Sequence, residues 1–301
     1  MKNSAEPLVS IIVNCFNGEK YLKQALDSIL AQTYRNWEVI FWDNRSNDNS
    51  ADIFKNYKDE RFKYFYAPQH TFLFEARNEA IKIASGEFIA FLDVGDWWEK
   101  NKLELQIPLF DNTDIGVVYG NHFLVNQNLN IKRIFARKKL PRGFILDELL
   151  QSYVAGIITV VIRKNFMDNL TSAFNNQFHI IGDFDLIVRM STKCEFDCIQ
   201  KPVAYHRARQ KNESLLNKNR HIKELKTWYQ EMLNSPIISK SVNFNNIINI
   251  INFIEITNFI EKSDYKNAKL LINKMPFSFK KIKFLIALIL PNNFVKKFIE
   301  Y

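Results

Sequence analysis

The sequence predicts an α/β fold built on a mainly parallel sheet with helices on both faces. Through the first hundred residues, short runs of β-branched and aromatic residues alternate with segments of helical periodicity. The short runs are apolar throughout, so both faces of each strand are expected to be buried. Buried strands that alternate with helices are typical of a parallel sheet covered on both sides.

Four strands and three helices are predicted in this region. The strands are residues 8–13, 39–42, 62–66 and 88–92. Apolar residues at helical spacing predict helices over residues 21–30, from 50 to about 57, and over 74–84. The second and fourth strands each end on an aspartate, Asp43 and Asp93. Ligands of such sheets bind at the carboxyl ends of the strands, so we expect a binding site there.

The rest of the chain predicts a second domain. Residues 117–119 and 156–162 are predicted strands, and residues 183–190 form a predicted short helix. Beyond residue 211 the pattern becomes largely helical and rich in Asn, Ile and Lys. We therefore expect a catalytic α/β domain over residues 1–210 and a helical extension over residues 211–301.

The composition excludes a disordered chain and argues against a zinc-binding or disulfide-rich protein. With 47% hydrophobic and 24% charged residues the chain is globular rather than disordered. Three cysteines, Cys15, Cys194 and Cys198, form no CxxC pair, which argues against a structural zinc site and a disulfide framework. The polar N-terminus does not resemble a signal peptide, so the expected compartment is the cytoplasm.

The net charge of +9 lies almost entirely in the predicted extension. Residues 211–301 contain 15 Lys and Arg against 7 Asp and Glu, whereas residues 1–210 contain 26 against 25. A basic segment of this kind can attract nucleic acid or anionic lipid. Because the main domain is nearly neutral, we expect no nucleic-acid partner.

Five aspartates in three segments of the chain carry candidate chemistry. Asp93 and Asp96 follow an apolar strand and could share Mg²⁺ or Mn²⁺, or could cap a turn. Asp43 could accept a hydrogen bond from a base or ribose, or begin an Asx turn. Asp183 and Asp185 open a predicted helix, where they could cap it or supply a general base. Taken singly, these signals leave both interpretations open.

The order of these segments resembles glycosyltransferase family 2, the inverting enzymes with the GT-A fold. The resemblance covers residues 8–210. It rests on five segments, which are the opening VSIIVNCFN, then QTYRNWE at 32–38, DNRSNDNS at 43–50, ARNEAI with ASGEFIAFLD at 76–93, and GDFDL at 182–186. It implies a GT-A nucleotide-binding domain and transfer of a sugar from a nucleotide-diphosphate sugar, most readily a UDP-sugar.

The resemblance also implies roles for individual residues. The nucleotide would be bound by Asn14, Phe16, Asp43, Arg77 and Asp93, with Arg77 near the sugar-diphosphate. Asp96, together with Asp93, would hold the Mn²⁺ or Mg²⁺ cofactor, and Asp183 would be the catalytic base.

Three positions depart from the family pattern. Asn44 replaces the second aspartate of the base-binding pair, and Gly95 replaces the middle aspartate of the metal motif. Arg209 stands where the family often has histidine. We expect Arg207 and Arg209 to contact the diphosphate, because guanidinium groups pair well with phosphate oxygens.

Two other classes of protein compete with a glycosyltransferase. Gly95 would suit a non-catalytic module that binds a sugar nucleotide or a glycan. Another nucleotide enzyme, such as a nucleotidyltransferase or dehydrogenase, is disfavoured because neither GxGxxG nor a Walker A motif is present.

The C-terminal extension combines basic and apolar residues. Lys280, Lys281 and Lys283 precede the apolar run 284–290, and two more lysines follow at 296 and 297. The run is too short to span a bilayer. It could lie on an anionic membrane surface near a glycan or lipid-linked acceptor, at the inner face of the plasma membrane. It could equally pack against the catalytic domain or mediate self-association.

Overall fold

The computed structural model describes residues 6–126, 131–208, 216–275, 279–288 and 290. The chain divides into two compact units, Met1–Gln210 and Lys211–Tyr301. Each unit contains buried apolar residues of its own.

Within its described residues, the first unit contains one sheet of nine strands. In chain order they are β1 Val9–Cys15, β2 Trp37–Asp43, β3 Phe62–Tyr66, β4 Phe88–Phe91, β5 Trp97–Trp98, β6 Ile115–Asn126, β7 Ile131–Ile134, β8 Val161–Arg163 and β9 Glu195–Arg207. Pairing runs in the order β3-β2-β1-β4-β8-β6-β9-β5, and β7 pairs with β6. Six strands (β1–β4, β6 and β9) run in one direction, which confirms the predicted mainly parallel α/β fold.

Helices connect these strands. In the first unit they are α1 Glu19–Leu30, α2 Ser50–Lys55, α3 Leu73–Lys82, α4 Lys102–Gln106, α5 Leu146–Gln151, α6 Lys164–Asp168 and α7 Gly182–Ser191, with 3₁₀ helices at Ile107–Asp111 and Ile157–Thr159. The described part of the second unit contains α8 Lys218–Met232, α9 Asn246–Glu261, α10 Tyr265–Lys274 and α11 Phe279–Ala287, with a 3₁₀ helix at Ile238–Lys240. No helix in the described residues is both long and apolar enough to cross a membrane.

The predicted strands and helices of the first hundred residues are all present. β1 is buried at every position, as its continuous apolar run predicts. α1 buries Leu22, Ala25, Leu26 and Ile29 along one face, the spacing that indicated a helix. The order of the strands places β1 beside β4. The connection that follows β1 runs toward one edge of the sheet, and the connection that follows β4 runs toward the other. A crevice at the carboxyl ends of the strands is expected at such a switch point.

The strand predicted over residues 156–162 was wrong in its first half. Residues Ile157–Thr159 form a 3₁₀ turn, and β8 begins only at Val161. The Thr159 amide and hydroxyl both donate to the Gly156 carbonyl, at 2.8 and 2.7 Å. These local bonds replace the sheet pairing that an apolar run would otherwise seek.

A buried carboxylate connects β1, β2 and the segment before β4 near the amino ends of the strands, away from the expected crevice. Glu38 is 3% exposed and accepts hydrogen bonds from the Ser10 hydroxyl at 2.5 Å, the Ser85 amide at 2.8 Å and the Lys63 ammonium at 2.5 Å. Gly86 fits beside it because an added Cβ would lie 2.6 Å from the Ser10 nitrogen. Burial raises the pKa of Glu38, but the three hydrogen bonds outweigh burial and lower it.

Glu38→Gln should lower the free energy of unfolding by about 1–3 kcal/mol near neutral pH, since a neutral amide cannot accept all three bonds. A lowered folded-state pKa stabilises the protein above the unfolded-state pKa, and this stabilisation is lost as the pH falls through the lowered value. The difference from wild type, measured by chemical denaturation, should therefore shrink below about pH 4. Glu79→Gln, which removes a surface pair with Lys82, should change stability by less than about 0.5 kcal/mol. Equal losses in the two variants would contradict the assignment.

Candidate active site

Asn14 marks the crevice at the carboxyl end of β1. The residue is 9% exposed, and neither its amide nitrogen nor its amide oxygen has a hydrogen-bond partner among the described residues. Buried amides almost always find partners in proteins, so this side chain is available to a ligand or an ordered water. Phe16, two residues on, is 51% exposed, and its ring centroid lies 4.3 Å from that of His70. The two rings offer an aromatic surface at the mouth of the crevice.

Asp43, at the end of β2, shapes the adjacent loop. It is fully buried, and its two oxygens accept hydrogen bonds from the Ser46 amide and the Tyr64 hydroxyl, both at 2.7 Å. Arg45 takes a positive φ of 71° inside this turn. The Asp43 carboxylate thus holds the turn through an amide three residues on, rather than two residues on as in the predicted Asx turn. The contact of Asp43 with a nucleotide stays a prediction.

Asn44 uses its side chain to hold a second segment in place. Its amide nitrogen donates to the Thr71 carbonyl at 2.7 Å, and its amide oxygen accepts from the Thr71 amide at 3.1 Å. The Asn44 carbonyl lies 2.8 Å from Nδ1 of His70. An aspartate would lack the donor for the Thr71 carbonyl. Asn44, which replaces the family's aspartate, thus holds the segment of His70 and Thr71 in place, with the His70 ring against Phe16.

A buried cation lies next to the end of β4. The Arg77 side chain is 3% exposed, and its guanidinium carbon lies 5.5–5.7 Å from the ring centroids of Phe74, Phe91 and Phe174. It donates to the Asp93 carboxylate at 2.5 Å. The Asp93 side chain is 40% exposed, so the pair joins the apolar interior to the open crevice.

Asp183 lies in the first turn of α7, close enough to Arg77 and Asp93 to interact with both electrostatically. Burial raises the pKa of Asp183, and the Asp93 charge adds to this, whereas Arg77 opposes it. The net direction is upward, which makes the carboxylate a stronger base than an exposed aspartate.

Asp185, two residues further along α7, is in different surroundings. It is buried and accepts from Arg189 at 2.8–2.9 Å. Arg189 in turn donates to the carbonyls of Ser172 and Ala173. Asp185 therefore takes part in a structural ion pair that fastens the segment before α7.

Asp96 faces the end of β9. It is 4% exposed, with one oxygen 2.8 Å from the Arg207 amide and the other 3.1 Å from Nδ1 of His206. The Arg207 guanidinium is also buried, donating to the Gly95 carbonyl at 2.8 Å and to Gln24 at 2.7 Å. These contacts hold the 93–96 turn, and the expected diphosphate contact of Arg207 stays a prediction. Arg209 lies outside the described residues.

The family model for glycosyl transferase family 2 matches residues 10–181, more than half of the chain. The chain belongs to glycosyltransferase family 2.

Two relatives carry names that describe glucosyl transfer to a diphosphoundecaprenol-linked sugar and teichuronic acid biosynthesis. The chain is 35% identical over 167 residues to UDP-Glc:alpha-D-GlcNAc-diphosphoundecaprenol beta-1,3-glucosyltransferase WfgD of Escherichia coli, covering 56% of this chain and 64% of WfgD. It is 31% identical over 161 residues to the putative teichuronic acid biosynthesis glycosyltransferase TuaG of Bacillus subtilis, covering 53% and 63%. The similarity thus spans a little under two thirds of each relative.

Solved structures agree on the fold. S. aureus TarS 1–349 in complex with UDP-GlcNAc has a TM-score of 0.65 at 18% identity, covering 97% of this chain and 88% of that chain. The mannosyltransferase PcManGT from Pyrobaculum calidifontis, in complex with GDP-Man and Mn²⁺, has a TM-score of 0.64 at 14% identity, covering 99% and 86%. The GT-A fold expected from the resemblance is confirmed.

The described residues contain no group of three or more His, Cys, Asp or Glu side chains arranged to hold a metal ion. Asp96 and His206 together offer a carboxylate oxygen and an imidazole nitrogen. The carboxylate suits Mg²⁺ or Mn²⁺, which prefer oxygen ligands.

Sequence reasoning missed two residues at this site. His206 reaches Asp96 only because β5 pairs with β9, a contact between residues more than a hundred positions apart. Tyr153 packs its ring edge-on against Phe184, at 5.6 Å, and its hydroxyl is buried without a hydrogen-bond partner among the described residues. Neither position belongs to a local pattern, so the sequence alone offered no signal.

Asn44→Asp should lower the free energy of unfolding by about 1–3 kcal/mol, because it removes the donor to the Thr71 carbonyl and places a charge against that oxygen. Asn47→Asp adds the same charge in the same loop at an exposed position and should stay within about 0.5 kcal/mol of wild type. Equal changes in the free energy of unfolding for the two variants would contradict this role of Asn44.

Proposed function

We propose that the protein is an inverting glycosyltransferase that moves a sugar from a UDP-sugar to a glycan or lipid-linked glycan acceptor. The observation that carries the proposal is the grouping of Asp183, Arg77 and Asp93 at the switch point of the sheet. A base with a raised pKa stands beside a buried cation, at the edge where GT-A folds bind a nucleotide. The name of WfgD supports UDP-glucose as the first donor to test and a GlcNAc-diphosphoundecaprenol as the first acceptor.

Asp183 would accept the proton of the acceptor hydroxyl as that oxygen attacks the anomeric carbon. A hydroxyl with a pKa far above 7 needs a positioned base, and general-base catalysis typically contributes about 10²–10⁴-fold. One base on the side opposite the leaving group gives a single displacement, and this inverts the configuration at the anomeric carbon.

Arg77 would compensate the negative charge that develops on the departing nucleoside diphosphate. Its position between three aromatic rings strengthens this interaction, because little water screens it. Asn14 would hydrogen-bond the nucleotide, and the Phe16 ring would stack on the base. Asp96, with Asp93 and His206, would hold Mn²⁺ or Mg²⁺, which neutralises diphosphate charge when bound.

A non-catalytic sugar-nucleotide or glycan-binding module remains the competing function. Gly95 supports it, because the carboxylate that the family usually has there is missing. Hydrolysis of UDP-glucose in the presence of metal, or transfer to a GlcNAc-lipid acceptor, would separate the two functions. A module would bind donor without turning it over.

Asp183→Asn should reduce kcat by about 10²-fold or more with little change in UDP affinity, because a base acts in the transition state. Asp185→Asn is the matched control, two residues away on the same helix. It should reduce thermal stability through loss of the Arg189 pair and retain kcat in the folded fraction. Loss of kcat in Asp185→Asn with little loss in Asp183→Asn would instead assign the base to Asp185.

The pH dependence of wild-type activity should show the raised pKa of Asp183. An aspartate acts as a base only when ionised, so kcat/KM should fall as the pH drops through its raised pKa. The acidic limb should lie above the value of about 3.9 for an ordinary aspartate. A profile that is flat down to about pH 4 would exclude Asp183 as the base.

Removal of divalent metal with EDTA should abolish transfer, and Mn²⁺ or Mg²⁺ should restore it. Asp96→Asn should raise the metal concentration for half-maximal activity at least about tenfold, and more than Asp93→Asn does. Thermal unfolding of both variants would separate loss of metal affinity from loss of fold, because Asp96 also holds the Arg207 amide. Undiminished turnover in EDTA would end the metal hypothesis.

A further inference from the structure

Helix α11 presents a wide apolar surface to solvent. Phe279 is 83% exposed, and Ile282, Leu285 and Ile286 are 38–41% exposed. At 100° per residue, these four side chains fall within one continuous sector of the helix. Lone exposed apolar residues are common, but a contiguous patch on a defined helix usually marks an interaction site.

The other side of α11 is anchored in the second unit. Phe284 and Ala287 are buried in one cluster with residues of α9 and α10, namely Ile256, Ile260, Ala268 and Ile272. The Lys281 ammonium donates to the carbonyls of Asn273 and Met275 at the end of α10, at 3.1 and 2.6 Å. The apolar run is thus divided, with one face packed as a core and the other directed outward.

The surroundings of this surface are basic. From Tyr265 to Ile299 the sequence contains eight lysines and no aspartate or glutamate. Three of these lysines lie exposed on α10, at Lys266, Lys269 and Lys274. A partner that covers the apolar face would therefore also meet positive charge, and its own charge should be negative.

A second copy of the chain would not satisfy this requirement. In a two-fold contact the same patch meets itself, so the lysines of one copy would approach those of the other. An anionic bilayer does satisfy it, since apolar side chains enter the boundary of the acyl chains while lysines contact phosphate groups. With nine residues α11 is roughly 13 Å long, so it would lie in the plane of the interface rather than span the membrane.

We propose that the outward face of α11, formed by Phe279, Ile282, Leu285 and Ile286, docks the protein on an anionic lipid bilayer. A lipid-linked acceptor would lie on the same membrane surface as the docked enzyme. In this respect the proposal extends the proposed function and rests on it. The docking itself depends only on the second unit.

The test is sedimentation of the full chain with vesicles of phosphatidylglycerol and phosphatidylcholine in equal parts. The protein should sediment with these vesicles at low salt, bind less at high salt, and bind poorly to phosphatidylcholine alone. The double variant Ile282→Asp/Ile286→Asp should lose at least about tenfold in partition coefficient, because two charges enter the apolar face.

A matched control introduces the same two charges elsewhere in the second unit. Ile237 and Val242 are 52% and 85% exposed and lie outside α11. Ile237→Asp/Val242→Asp should bind vesicles as the wild type does, and circular dichroism should show both variants folded. Wild-type protein that stays in the supernatant at low salt would overturn the proposal, as would equal losses in both double variants. A dimer in sedimentation velocity that only the α11 variant disrupts would assign the face to a second copy instead.

Transfer to a water-soluble acceptor separates this proposal from the proposed function. The α11 variant should retain wild-type rates with such an acceptor while losing vesicle binding. Absence of transfer with intact vesicle binding would count against the glycosyltransferase assignment and leave the docking surface standing.

Discussion

The desolvated cation of Arg77 is the constraint around which the candidate site is organised. A guanidinium group enclosed by three phenylalanine rings has lost most of its hydration, and its one direct carboxylate partner is Asp93 among the contacts described. An uncompensated charge in such a position would be strongly destabilising. One cation with two neighbouring carboxylates, Asp93 and Asp183, leaves a net negative charge before any diphosphate enters. This charge agrees with the proposal that the donor binds together with a divalent cation.

The same electrostatics explain why two aspartates on one helix differ so much. Asp185 has a cation of its own in Arg189, whose remaining donors are taken by backbone carbonyls, so its charge is neutralised locally. Asp183 interacts electrostatically with Arg77, but the Arg77 guanidinium already donates to Asp93. Burial raises the pKa of Asp183. Spacing in the sequence cannot separate these roles. The surroundings differ, because Asp185 forms an ion pair with Arg189 whereas Asp183 shares its nearby cation with Asp93. The role of Asp183 as a base stays a prediction.

Local patterns predicted the strands and helices of the first hundred residues, because apolar runs and helical periodicity are properties of neighbouring residues. They also predicted that Asp43 ends a strand, whereas Asp93 lies two residues beyond the end of β4 at Phe91. The contacts of β5 and β9 depend on pairing over more than a hundred positions, so the approach of His206 to Asp96 was not visible in the sequence. The 3₁₀ turn at Ile157–Thr159 was missed for a different reason, since a threonine hydroxyl replaced a sheet partner.

The departures from the family pattern bear on whether the site retains turnover. Asn44 lacks the carboxylate of the family's aspartate but has an amide N–H group, which donates to the Thr71 carbonyl. At position 95 the backbone carbonyl accepts from Arg207, a contact that does not depend on the side chain. The substitution at position 44 is therefore matched by a new interaction, whereas nothing in the described part of the chain replaces the carboxylate missing at position 95. A binding module would have no need to keep a base of raised pKa beside a buried cation, and this pairing supports catalysis over binding alone.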